Sequence, residues 1–350
     1  MSPSNKKVNL FVFVVTLFFV SSCFDLTRAA KANSVSLAEA AEKQKQDAEI
    51  HKILFEDNQS IQECLNVTLR RKTPEVKKND TKPDKPLWTV VILREEIIQK
   101  DKTLNIQQCT GSLIHPQVVL TAAHCLHNKP IAELKVRAGE INRRPDKNTT
   151  TFHHQERHIE SIAYQKSYDP TKPKRDIALV FLKTPFNVSS STHIKTVCLP
   201  PTRFPVNATY VRCFVTGWEK KSHHVKLGHA NFKKIDLPII PNYRCQKVLR
   251  LTGLGEEFNL HKSFMCAGGE LEKSALEGNG GAPLVCPVCG SSGKMQVQVG
   301  VMSWGFKASP LPEVFTAVSS ARHWIMEELQ EKKLKLPNCG IKWNQDGVEP

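Results

Sequence analysis

Long hydrophobic runs are missing from most of the 350-residue chain. After the largely apolar stretch Val8 to Val20, no run reaches the 18 or so residues that a membrane-spanning helix needs. No segment recurs at a fixed period, which excludes solenoids and propellers built from repeats. Only one C-x-x-C is present, Cys286-Pro-Val-Cys289, with no second one and no Cys/His pair at finger spacing, so a zinc module is not expected. Acidic residues are scarce: 34 Asp and Glu against 49 Lys and Arg, a net charge of +15. That excess favours anionic partners, whether acidic protein surfaces, polyanionic glycans or nucleic acid. Hydrophobic residues make up 40% of the chain and charged ones 24%, which argues against wholesale disorder, collagen or a coiled coil.

The first residues read as a secretory signal. Lys6-Lys7 precede the short apolar run, and Ser21-Ser22-Cys23 follow it. Cleavage after Ser22 and cleavage near Ala29-Ala30 both fit, so the leader is taken as residues 1–30. Eleven cysteines occur, and setting Cys23 aside leaves ten: Cys64, Cys109, Cys125, Cys198, Cys213, Cys245, Cys266, Cys286, Cys289 and Cys339. An even set behind a signal peptide implies disulfides. Glycosylation sequons start at Asn58, Asn66, Asn79, Asn148, Asn187 and Asn207, and any that carry glycan must face solvent.

Residues 31–86 differ in texture from the longer C-terminal part of the chain. Ser36–Phe55 is polar and rich in Ala, Glu, Lys and Gln, a helical composition. Arg70 to Pro86 is a charged, proline-containing linker with almost nothing to bury. Arg70-Arg71-Lys72 within it is open to a trypsin-like protease. From Leu87 onward, short β-branched runs recur: Trp88–Leu93, Val118–Ala122, Leu134–Arg137, Ile177–Leu182, Val211–Thr216, Val297–Ser303 and Val314–Val318. Turn-rich segments separate them. This predicts an all-β barrel or sandwich over 87–331. An amphipathic helix, Ser319–Glu331, closes it with Trp324, Ile325 and Leu329 on one face, and 332–350 form a tail.

Several short motifs succeed one another in order. Cys109-Thr-Gly-Ser-Leu-Ile114 precedes Thr121-Ala-Ala-His124-Cys125. Then come Arg175-Asp176-Ile177-Ala178-Leu179, Gly217-Trp218, Cys266-Ala-Gly-Gly269, Gly278-Asn279-Gly280-Gly281-Ala282-Pro283, and Ser303-Trp304-Gly305. The ordered set resembles the chymotrypsin/trypsin-like serine proteases over Leu87 to Leu329. The resemblance implies two packed antiparallel β-barrels with a C-terminal helix, and a site between the barrels. It implies that His124 is the remnant of the general base and Asp176 of the carboxylate that orients it.

The same motifs depart from the family where chemistry would occur. The family sequence is Gly-Asp-Ser-Gly-Gly-Pro, so Gly280 stands in the nucleophile's place, and no Ser, Thr or Cys lies between Leu276 and Val285. Without a nucleophile no acyl-enzyme forms. Asn279 replaces the Asp that pairs with the amine freed on activation, and no Arg-Ile-Val-Gly-Gly precedes Trp88 to supply such an amine. In the specificity pocket, formed also by Ser303, Trp304 and Gly305, Ser274 and Glu313 replace the usual Asp and Gly. Glu313 is expected to fill or charge that pocket. Leu276 and the Cys-free stretch Gly305–Ser309 lack the disulfide that braces it.

A finer resemblance is to the non-catalytic, masquerade-like serine protease homologues of arthropods. It rests on Leu134-Lys-Val-Arg-Ala-Gly-Glu140, Cys198-Leu-Pro-Pro201, Leu254–Phe264 and Pro283-Leu-Val-Cys-Pro287. Many members carry a clip domain with three disulfides, but residues 31–86 hold Cys64 alone, so no clip domain is expected there, nor functions tied to one. The resemblance implies the disulfides Cys109–Cys125, Cys213–Cys286 and Cys245–Cys266. Cys198 usually pairs upstream of the domain, where Cys64 is the candidate, and elimination then leaves Cys289 with Cys339. A Cys64–Cys198 bond would keep the N-terminal piece attached after cleavage at Arg70-Arg71.

Two histidine groups, His153/His154/His158 with Glu156, and His223/His224/His229, match no metal motif and read as solvated loops. Lys332-Lys333-Leu334-Lys335 is open to a polyanion, and equally to a solvated helix end favoured by the dipole. No cofactor is expected. The resemblance implies a secreted pseudoprotease that binds secreted proteases, zymogens or proenzymes. It would act as cofactor, scaffold or decoy in a cascade of immune haemolymph or seminal fluid. The alternative suggested by the charge is an adhesion protein that binds anionic glycans. Secretion disfavours nucleic acid.

Overall fold

In a computed structural model of the chain, the described residues are 39–55, 86–99, 102–139, 154–171, 174–202, 212–218, 232–271, 273–274, 279–290, 293–306 and 310–339. The expected leader, the basic linker with its Arg70-Arg71-Lys72 site, Cys64, and the sequons at Asn58, Asn66, Asn79, Asn148 and Asn207 lie outside them. The chain divides into two compact units, 1–52 and 53–350. The described part of the first belongs to the helix α1 over 39–55, where the Ala/Glu/Lys-rich composition predicts one.

The second unit contains an all-β body. Its first layer is a closed barrel of six strands in the order β1-β2-β3-β6-β5-β4. These are β1 (Thr89–Gln99), β2 (Lys102–His115), β3 (Val118–Thr121), β4 (Leu134–Ala138), β5 (Gln155–Tyr164) and β6 (Ala178–Leu182). The second layer is a seven-stranded antiparallel sheet, β8-β7-β11-β12-β13-β10-β9. Its strands are β7 (Cys213–Trp218), β8 (Phe232–Leu237), β9 (Ile239–Ile240), β10 (Phe264–Gly268), β11 (Pro283–Gly290), β12 (Gly293–Trp304) and β13 (Pro312–Ala317). The helix α2 (Asn242–Arg250) separates β9 from β10, and α3 (Val318–Glu331) comes after β13.

Period-two geometry explains how β1 serves both layers. Side chains alternate across a strand. Val90 and Ile92 therefore enter the barrel core, while Val91 and Leu93 form a separate cluster with Trp218 of β7. All four are fully buried. Polar contacts also cross between the layers: the Thr89 and Thr216 hydroxyls lie 2.7 Å apart, and Ser112 Oγ donates to Gln298 Oε1 at 2.5 Å.

The amphipathic face of α3 is buried as its spacing predicts. Val318, Ala321, Trp324, Ile325 and Leu329 pack on the first-barrel core. Each large side chain removed from water there contributes about 2 kcal/mol. The strands that run composition does not reveal are the polar ones. β5 (QERHIESIAY) shows no clean apolar alternation; it joins β4 through the backbone ladder, and cross-strand charge pairs add to it. Glu156 accepts from Lys135 Nζ at 3.0 Å and from Arg137 Nε at 2.6 Å, and Lys135 also reaches Glu95 at 2.7 Å.

Candidate functional site

His124 lies in a short 3-10 turn, Ala123–Cys125, just after β3, and Asp176 precedes β6. Because β3 and β6 are hydrogen-bonded neighbours, with Thr121 paired to Ala178, the two residues meet although 52 positions apart. His124 Nδ1 lies 2.7 Å from Asp176 Oδ2, and the His124 backbone N–H donates to Oδ1 at 2.8 Å. A carboxylate only accepts, so Nδ1 carries the proton and Nε2 presents its lone pair to the cleft.

Asp176 is fully buried and its acceptor capacity is well used. Ser303 Oγ, at the end of β12, donates to Oδ2 at 2.5 Å, and Thr316 Oγ1 of β13 donates to the Asp176 backbone carbonyl at 2.8 Å. The carboxylate thus joins a residue of the first barrel to one of the second layer. Sequence reasoning assigns Ser303 to the pocket and overlooks Thr316; the structure uses both to hold Asp176. Also unforeseen is an aromatic group beside His124. His127 sits edge-on to Tyr164 and Tyr168, and the two tyrosines stack at 6.4 Å. Burial, then the nearby Asp176 charge, pushes the Tyr168 hydroxyl up to about 12.

Gly280 faces this pair. A Cβ built on it would lie 3.0 Å from His124 Nε2 and 3.3 Å from Cys109 Sγ. The position therefore points a side chain at the imidazole lone pair, and glycine supplies none. Two backbone bonds fix the chain around it: Gly280 O accepts from Thr110 N at 2.9 Å, and Gly281 N donates to Met302 O at 2.9 Å. Gly281 needs its missing Cβ for two reasons: its φ is +78°, and a Cβ would meet Thr121 Oγ1 at 2.2 Å and Thr110 O at 2.3 Å.

Asn279 is 5% exposed, and its Oδ1 has no hydrogen-bond partner among the described residues. That oxygen fills the space beside Gly217, where a Cβ would come within 1.9 Å of it. Glu313, on β13, is 1% exposed, and its Oε2 occupies the space beside Gly268, 2.1 Å from where a Cβ would stand. Ser274 is exposed. Trp304 and Gly305 are half-buried, and the Trp304 ring makes edge contacts with Phe258, Phe264 and Phe306 at 6.1 to 6.4 Å.

Three implied disulfides are present: Cys109–Cys125, Cys213–Cys286 and Cys245–Cys266. The fourth corrects the expectation. Cys198 bonds to Cys339, not to Cys64, so Cys339 is not the partner of Cys289, and the expected Cys64–Cys198 tether does not form. The physical reason is the path of the tail, which doubles back after α3 and brings Cys339 against the segment that carries Cys198.

Asn187 is exposed, as a glycosylated residue must be. His154 and His158 stand beside and on β5, where the Glu156 carboxylate is taken by Lys135 and Arg137; His153, His223, His224 and His229 lie outside the described residues. Cys109, His124 and Cys125 converge within 4.8 Å, but both sulfurs are in a disulfide and offer no thiolate to a metal. Among the described residues, no helix is long and apolar enough to cross a membrane.

Comparisons with known proteins agree with this geometry. Residues 87–325 match the Trypsin family. Phenoloxidase-activating factor 2 of Galleria mellonella is 37% identical over 250 residues, which cover 69% of this chain and 80% of that protein. Two proteins of Anopheles gambiae, named inactive CLIP domain-containing serine proteases A28 and A8, are 34% and 36% identical over 253 and 248 residues. Those stretches cover 71% and 68% of this chain but only 62% and 63% of the mosquito proteins.

Proposed function

The chain belongs to the trypsin family, and from that premise we propose that it is a secreted, catalytically inactive member that works by binding other proteins. The observation that carries this reading is Gly280. It stands opposite a correctly oriented His124–Asp176 pair, where a side chain would be 3.0 Å from Nε2, and brings no atom that can attack a carbonyl. Relatives named as inactive serine proteases support the same reading.

The partners in this reading are extracellular proteases, their zymogens or a proenzyme, with the protein acting as cofactor, scaffold or decoy. A relative named phenoloxidase-activating factor favours an immune cascade in haemolymph, with seminal fluid the other setting. Within the family it belongs with the masquerade-like homologues. In this reading residues 31–86 are a polar N-terminal segment and basic linker without a clip domain, since Cys64 is their one cysteine. The leader is 1–30, the protease-like domain 87–331 and the tail 332–350. Affinity capture of the tagged mature protein from the secreted fluid tests the reading. Specific recovery of a protease, zymogen or proenzyme is expected. Labelling of the wild type by a serine-directed phosphonate in a His124-dependent manner would overturn it.

A second reading has its own observation. Lys174, Arg175 and Lys262 pair with no carboxylate among the described residues, and the chain carries +15. Such a surface suits an anionic glycan. Salt-dependent retention on heparin is expected from it, and passage straight through the column would sink it.

A further inference from the structure

The end of the described chain builds a feature that the protease-like cleft does not use. α3 stops at Glu331, and Lys333 takes a left-handed φ of 56°. Its N–H meets the Gln330 carbonyl and the Leu334 N–H meets that of Leu329, which closes the helix. The chain then runs back as a strap. Leu334 and Leu336 pack on the first-barrel core, and Cys339 is bonded to Cys198. Strap, helix and barrel border a cavity of about 690 Å³ that is open to solvent on one side, within the span of small-molecule pockets, roughly 300–1,000 Å³.

Apolar side chains form most of its walls: Ile114, Val197 and Leu199 from the barrel side, Met326 from α3, and Leu336 from the strap. One cation is set among them. Arg322 Nη1 is cut off from solvent and has no hydrogen-bond partner among the described residues. Burial pushes its guanidinium pKa down, yet arginine does not shed its proton in proteins. The other ionisable groups on the cavity are the exposed Lys333 and Lys335, and no carboxylate lines it. Arg322 as a whole is half-buried, so its charge is partly desolvated, and no carboxylate on the cavity offsets it.

We infer that this cavity binds an anion carried on an apolar chain, a long-chain carboxylate of the fatty-acid class, with its head on Arg322 and its tail against the apolar walls. Each part of the ligand answers one property of the site. A bare inorganic anion would satisfy the guanidinium and leave the apolar walls uncovered. A neutral apolar ligand would cover the walls and leave the guanidinium unpaired. The site shares no residue with the His124–Asp176 pair, so the inference stands apart from the protein-binding role.

Calorimetric titration of the delipidated, disulfide-intact full chain with palmitate tests it. Saturable binding of one palmitate per chain is expected. Arg322→Gln should weaken it at least tenfold, since a charge-assisted hydrogen bond is lost. Met326→Trp, at a residue already 40% exposed and so tolerant of substitution, should weaken it comparably by narrowing the cavity. Equal thermal melts for the three proteins would assign the losses to the site. No binding by the wild type overturns the inference, as does affinity undiminished in both variants. Inorganic sulfate binding as tightly as palmitate would also overturn it, because the apolar walls would then contribute nothing.

Discussion

Gly280→Ser is the perturbation that asks most of the structure. The φ of Gly280 is not in the left-handed region, so an L side chain is allowed there, unlike at Gly281. The new Cβ would sit 3.0 Å from His124 Nε2, a few tenths of an ångström too tight. The imidazole can yield by a few tenths of an ångström, because its side chain is 39% exposed. Once it yields, the serine hydroxyl faces the lone pair of an imidazole whose tautomer Asp176 already sets.

Loss of this nucleophile alone is typically worth about six orders of magnitude in rate, or roughly 8 kcal/mol of barrier. General-base assistance contributes about 10² to 10⁴. The expected outcome is that Gly280→Ser reacts with a fluorophosphonate about 10² to 10⁴ times faster than Gly280→Ser/His124→Ala, with labelling mapped to residue 280. Peptide turnover should lag far behind labelling, since Glu313 fills space beside Gly268 and Asn279 cannot form an ion pair with an amine. Labelling that ignores the His124 change would refute the argument. So would a folded Gly280→Ser protein that stays inert, because the missing oxygen would then not be what separates this site from a reactive one.

Asp176→Ala removes an acceptor from three donors, His124 N, His124 Nδ1 and Ser303 Oγ; a loss of about 3 kcal/mol is expected in urea denaturation, and a loss under about 1 kcal/mol would contradict the bonding described. Non-reducing peptide mapping should yield Cys198 linked to Cys339. The Cys198→Ser/Cys339→Ser protein should be up to about 5 kcal/mol less stable from opening a loop of sequence separation 141, whereas a Cys64–Cys198 peptide would reject the connectivity. The Arg212 guanidinium, aided by Lys273, holds the Glu270 carboxyl below its ordinary 4.5 against the opposing effect of burial. A depressed folded-state pKa gives stability that is present above the unfolded value and is lost as pH falls through the folded one. Glu270→Gln should therefore flatten the acid limb of a stability profile below about pH 4.5, and an unchanged slope would count against the pair.

What the sequence reveals and what it hides depend on the range of each interaction. The ordered motifs are legible because each is a short stretch, and the family resemblance they carry implies the all-β body, the base and acid remnants and three disulfides, including Cys213–Cys286 across 73 residues. The apolar face of the last helix is equally plain, since a 3.6-residue period places Trp324, Ile325 and Leu329 together. Strand β5 is hidden because its stabilising partners, Lys135 and Arg137, are supplied by another strand. The Cys198 pairing misleads for a similar reason. The resemblance points Cys198 upstream to Cys64, whereas the chain reversal at Lys333 leads the tail back so that Cys339 meets it. Nothing local to Arg322 marks it either; the strap that lines the same cavity comes from beyond the helix and is tied down by the Cys198–Cys339 bond.

The bonding of the His124–Asp176 pair has a structural explanation that needs no catalysis. Asp176 is shielded from water and accepts from both layers of the body, through His124 on one side and Ser303 on the other, while Thr316 binds its carbonyl. Replacing it would strand several buried donors at once, each unfavourable by about 1–3 kcal/mol, in a domain whose total margin is on the order of 10 kcal/mol. Gly280 has no such ties through a side chain: its backbone bond to Thr110 is indifferent to what the Cβ carries. On the proposed reading, a change at position 280 therefore disturbs the architecture less than a change at Asp176, which is bound into both layers. An intact His–Asp pair in this fold accordingly reports on how the two layers are held together, and the residue at position 280 reports on chemistry.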